Sequence, residues 1–161
     1  MYPGKLAKKY EDRPAFIMAS TGETVTYKEF EARSNQLAHL FREEGLKKGD
    51  HYSVFMENNN RYLESNSAGE RAGLIYTCIN SYLKEEELAY ILVNSDAKIL
   101  ITSISKLDIV ETAVKQCNIL KKILVVGADG EQLPDGMYDF VTALSRFPLS
   151  PIPDECLGAA M

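Results

Sequence analysis

Few side chains in this sequence stand at spacings that chemistry requires. Glu85, Glu86 and Glu87 are three consecutive acids and the one cluster that invites a metal. Consecutive helix positions face different directions, so the triplet reads instead as a helix start complementing the helix dipole. His39 and His51 are isolated. His39 falls in mid-helix and reads as a surface or satisfied residue. His51 opens a strand after a Gly-Asp turn and has no partner at metal spacing. Cys78, Cys117 and Cys156 are far apart, odd in number and without a C-x-x-C pair, so neither a zinc site nor a disulfide framework is expected. Cys78, inside an apolar run, reads as a small core residue. No G-x-G-x-x-G and no G-x-x-x-x-G-K-S/T is present. Gly127-Ala128-Asp129-Gly130 follows a strand, but its spacing suits a turn and not a phosphate cradle. Tyr76, Thr77 and Asn80 remain. They sit on or just after an internal strand, and open α/β sheets bind ligands near the carboxyl ends of strands. Asn80 either faces such a cleft or caps the loop at 81–83. From these patterns no catalytic, cofactor-binding or metal-ligating residue is assigned.

The elements that must position these residues follow from periodicity. The apolar run at 15–19, a Gly22 turn and the extended stretch at 24–27 predict a β-hairpin. Thr26 with Glu29 fits a capping box, opening a helix to about Glu44 with Phe30, Leu37 and Phe41 on one face and Gly45 just past its end. Strands are expected at 51–56, 74–79, 98–102 and 122–126, and helices at 61–72, 84–95 and 107–117. Ala68 and Gly69 allow close packing of the first of these helices. A short helix is expected at 139–145. Pro148, Pro151 and Pro153 then break regular structure. Strands alternating with helices predict an α/β fold, a layered, mostly parallel sheet flanked by helices.

The chain has 161 residues, enough for one domain with a sizeable core. It is 45% hydrophobic and 25% charged, with a net charge of −5. That balance excludes a nucleic-acid-binding surface, which needs clustered Lys and Arg. No apolar run approaches the roughly 20 residues of a membrane span, and residues 1–14 hold no apolar core of a secretory signal. Unpaired cysteines point to a reducing, cytoplasmic setting.

Four segments in order resemble the core of the adenylate-forming superfamily. These are TVTYKEF at 24–30, GLKKGDHYSVFMENN at 45–59, RAGLIYTCINSYL at 71–83 and LAYILVNSDAKILI at 88–101. The resemblance runs from about Thr24 to Met161. The wording at 79–83 is closer to fatty- or other acyl-CoA synthetases than to peptide-synthetase modules. Lys84 departs from the family's Thr or Ser and predicts a weaker helix cap. The stretch PDECLGAAM at 153–161 is similar to the lead-in to the family's Gly- and Ser/Thr-rich ATP loop.

The resemblance implies a parent enzyme that joins a carboxylic acid of the fatty class to coenzyme A. The carboxylate attacks the α-phosphate of ATP with Mg²⁺ help, and the CoA thiol then displaces AMP. The family's charge clamps lie in the ATP loop, in later acidic motifs and in a C-terminal lysine. None matches a position here, so the resemblance also assigns no site residue. The expectation is an N-terminal fragment, structural and non-catalytic, binding no cofactor alone. Residues 1–147 would form an N-terminal α/β subdomain and 148–161 a connector toward the ATP loop. An exposed apolar cut face would favour self-association, with an unpaired tail. The alternatives are a piece of a peptide-synthetase adenylation module or luciferase-like enzyme, and a free-standing α/β interaction module.

Overall fold

The computed structural model describes residues 2–161. A short helix α1 (Gly4–Tyr10) leads into the expected hairpin, β1 (Pro14–Ile17) antiparallel to β2 (Thr24–Thr26). Helix α2 (Tyr27–Glu43) starts where the capping box places it. Thr26 Oγ1 accepts the Glu29 N–H at 3.2 Å, and the Glu29 carboxylate accepts the Thr26 N–H at 2.9 Å. It ends in a Schellman arrangement, with Gly45 N–H bonded to Arg42 O and Leu46 N–H to Phe41 O.

The remainder alternates as predicted. Its elements are β3 (His51–Phe55), α3 (Tyr62–Arg71), β4 (Ile75–Cys78), α4 (Glu85–Asn94), β5 (Ala97–Ser103), α5 (Leu107–Ala113), β6 (Lys122–Val126), β7 (Met137–Asp139), α6 (Phe140–Leu144) and β8 (Ala159–Ala160). Among the described residues six strands form one parallel sheet in the order β7-β6-β5-β3-β4-β8. The helix expected at 107–117 is shorter than its periodicity suggested. Tight 3-10 turns flank it at Ile104–Lys106 and Val114–Gln116.

Both sheet faces are covered, which is why the central strands read as continuous apolar runs. On one face α2 (Leu37, Phe41), α3 (Ala68) and α6 (Phe140) pack on Tyr52, Val54, Ile99, Ile101 and Leu124. On the other, α4 (Leu88, Leu92) and α5 (Val110, Ala113) pack on Phe55, Leu100, Ile123 and Val125. No helix among the described residues is long and apolar enough to cross a membrane.

Two expectations do not hold. Cys78 is exposed and not a core residue. It is the last residue of β4, beyond the reach of β8, which stops opposite Tyr76. Its thiol donates to Asn66 Oδ1 at 3.8 Å. The tail is also paired. Cys156 N–H bonds Arg71 O, Ala159 N–H bonds Leu74 O and Met161 N–H bonds Tyr76 O, at 2.9–3.0 Å. Ile152 is buried under α2 in the first cluster.

Candidate functional site

From β3 the chain crosses through α3 to β4 on one side. From β4 it crosses through α4 to β5 on the other side of β3. The winding therefore reverses between β3 and β5. In an open parallel sheet such a reversal leaves a crevice at the carboxyl ends of the two strands, the usual place for a ligand.

At this reversal the ends of β3 and β5 carry a small polar cluster. Glu57, just past β3, accepts hydrogen bonds from Ser103 Oγ at 2.6 Å and Ser105 Oγ at 2.7 Å. The two hydroxyls are 3.0 Å apart. Thr102 Oγ1 donates to Phe55 O at 2.8 Å and ties the two strand ends together. Asn59 bridges the following loop, donating to Glu57 O at 3.2 Å and accepting the Arg61 N–H at 2.9 Å. Burial pushes the Glu57 carboxyl upward, but the bonds from Ser103 and Ser105 outweigh it and hold it below its usual range. Glu57 is thus a carboxylate that only accepts.

The residues singled out from sequence divide. Asn80 Oδ1 accepts the Tyr82 N–H at 3.0 Å, so Asn80 caps its loop. Tyr76 is buried and its hydroxyl donates to Glu70 at 3.2 Å. Burial first, and the Cys78 thiol second, push that phenol upward. Thr77 Oγ1 lies 3.6 Å from Met161 Sδ. Lys106 Nζ sits 6.0 Å over the ring of Tyr82. His51 lies at the amino end of β3, the opposite edge of the sheet, and His39 donates to Ser150 O at 2.9 Å on the outside of α2. Gly127-Ala128-Asp129-Gly130 forms a turn, with Gly127, Asp129 and Gly130 all at positive φ.

This arrangement offers a hydrogen-bonded carboxylate and two hydroxyls. Both serines donate to one carboxylate whose proton affinity is lowered, and neither histidine is near. Among the described residues no group of three His, Cys, Asp or Glu side chains is placed to hold a metal ion. The Glu57 carboxylate of this cluster also repels a phosphate chain. The residues therefore do not fit a Mg²⁺–triphosphate clamp, and no step through ATP is derived from them.

Sequence reasoning missed Glu57, Ser103 and Ser105. They lie at or just past the ends of two apolar strands, but only the strand order makes them neighbours. It also missed two buried ion clusters. Glu64 is held by Arg33 at 3.1 Å and Arg61 at 2.9 Å, and burial pushes its carboxyl upward despite both guanidiniums. Arg71 is held by Glu31 and Glu155.

The family profile described as AMP-binding enzyme matches residues 5–148. The chain is 32% identical over 131 residues to a 3-oxocholest-4-en-26-oate–CoA ligase of Rhodococcus rhodochrous, covering 80% of this chain and 24% of that one. It is 29% identical over 157 residues to long-chain fatty acid transport protein 1 of Homo sapiens, covering 93% of this chain and 24% of that protein. The crystal structure of an anthranilate CoA ligase in complex with anthranoyl-AMP superposes with a TM-score of 0.86 at 19% identity, over 97% of this chain and 29% of the other. The chain spans about a quarter of the length of these relatives.

Proposed function

Because this chain belongs to the AMP-binding enzyme family, we propose that it forms the N-terminal α/β layer of an acid–thiol ligase. The whole protein would join a carboxylic acid, of the fatty or similarly apolar class, to coenzyme A at the expense of ATP with Mg²⁺. The observation that carries this reading is the family match over residues 5–148. Two relatives, a 3-oxocholest-4-en-26-oate–CoA ligase and a long-chain fatty acid transport protein, supply the substrate class.

Within that enzyme the role of this layer is structural. Residues 2–147 build the other five strands of the sheet and its flanking helices, and 148–161 return to add the edge strand β8. The crevice at Glu57, Ser103 and Ser105 faces the ligand cleft as one wall. It orients groups through acceptors and hydroxyls and contributes no charge clamp.

Two measurements test this. The chain is incubated with ATP, Mg²⁺ and a panel of fatty and aryl acids, and pyrophosphate release is read. No release above an enzyme-free control is expected. Turnover by the chain alone overturns the non-catalytic role. In a second arm the chain replaces the matching segment of the Rhodococcus ligase. Acyl-CoA formation should persist in the chimera and vanish when the segment is deleted. A folded chimera without activity overturns the ligase assignment.

A further inference from the structure

One buried arginine joins three parts of the chain that are distant in sequence. Arg71, the last residue of α3, is fully buried. Its Nη1 donates to Glu31 at 3.0 Å and to Glu155 at 3.2 Å, and its Nη2 donates to Glu31 at 2.5 Å. The Tyr2 ring lies 4.7 Å from the guanidinium carbon, and the Tyr2 hydroxyl reaches Glu155 at 3.4 Å. The pairing with Glu31 is bidentate, the stronger geometry for an arginine and a carboxylate. Glu155 adds a second carboxylate from the tail.

The backbone of Arg71 grips the same stretch. Its carbonyl accepts the Cys156 N–H at 2.9 Å. Side chain and carbonyl of one residue therefore hold two successive tail residues. Beyond them Gly158 N–H bonds Glu70 O at 2.8 Å, and β8 runs beside β4. Strand register is normally specified by an apolar face that must be buried. β8 has none, since Ala159 and Ala160 are both exposed. Two residues also make too few ladder bonds to choose a register unaided. Something outside the strand must set it.

We propose that Arg71, clamped by Glu31 and covered by Tyr2, is a latch for Glu155 that fixes the register of β8 against β4. Arg71 and Glu155 are then positioning residues for the carboxyl edge, where Met161 meets Tyr76 O and Thr77. The two acids are not equivalent. Without Glu155, Arg71 keeps its bidentate partner and the body of the fold stays neutralised. Without Arg71, two carboxylates face each other. Glu155 is the member that releases the tail alone. The neighbouring pair of Asp154 with Arg42, at 2.9 Å, leaves Asp154 60% exposed and contributes little by comparison.

Hydrogen exchange on the full chain tests the latch. In Glu155→Ala the Ala159 and Met161 amides should lose at least about tenfold in protection, while the Leu100 and Leu124 amides of the central strands keep theirs. Asp154→Asn should move the same tail amides by less than about threefold. Unchanged tail protection in Glu155→Ala overturns the proposal. So does a loss of equal size in Asp154→Asn, or a proportional loss at Leu100 and Leu124, which would make Glu155 a general stability residue.

Discussion

Gly73 meets two demands that no other residue type satisfies together. Its φ is +71°, in the left-handed region. A Cβ built on it would lie 2.3 Å from Cys156 Sγ and 3.2 Å from Lys48 Cγ. Gly73→Val should therefore destabilise the chain by more than about 1 kcal/mol. The urea midpoint of the variant reads this directly, and a midpoint equal to the parent's would refute it. Gly69 is different. Its backbone is ordinary helix, yet a Cβ there would lie 2.2 Å from the Tyr52 hydroxyl. That hydroxyl is buried and donates to Ser65 O at 2.7 Å. Both glycines were legible in the sequence, one as a junction between helix and strand, the other as a small residue on a packed helix face. Cys78 was not. Period-two alternation tells which face a residue takes, but not where the neighbouring strand stops and its cover ends. Glu57, Ser103 and Ser105 were hidden for a related reason. Each is an ordinary polar residue at or just past a strand end, and its meaning comes from a neighbour about 46 positions away.

The helix starts show what local sequence decides by itself. Thr26 and Lys84 hold equivalent cap positions with similar extended backbones, φ −76° and ψ 160° against φ −96° and ψ 174°. At α2 both halves of the capping box form. At α4 the Glu87 carboxylate accepts the Lys84 N–H at 3.0 Å, but a lysine side chain has no acceptor to return. Half of the box is built and waiting. Lys84→Thr supplies the missing oxygen and should stabilise the chain by about 0.5–1 kcal/mol. Thermal unfolding checks it, and a midpoint that stays or falls would show that the α4 N–H groups are already satisfied. Boxes, turns and helix faces were readable because all their parts lie within a few residues. The sheet order was not, because parallel neighbours are chosen by crossover packing. The tail shows the same limit. Its prolines predicted a break correctly, but the partner that pairs β8 is β4, more than 80 residues away.

At the scale of the molecule, two apolar clusters share one sheet. β5 supplies both. Ile99 and Ile101 face the cluster under α2 and α3, whereas Leu100 faces the one under α4 and α5, and all three are fully buried. Neither cluster can lose its side of β5 without removing the wall of the other, so the two should open together as one cooperative unit. The chain carries a probe in each. Tyr52 and Tyr76 belong to the first cluster, and Cys117 belongs to the second, where burial pushes its thiol upward. With Cys78 and Cys156 replaced by Ser and the tyrosines outside the first cluster replaced by Phe, thiol labelling of Cys117 and tyrosine fluorescence should give the same urea midpoint. Leu100→Ala should lower both midpoints equally, by a free energy of about 2–5 kcal/mol, although only the Cys117 side loses the contact. Two separate midpoints in the parent, or a Leu100→Ala shift seen by Cys117 and not by the tyrosines, would mean that the two faces of the sheet fold as separate units.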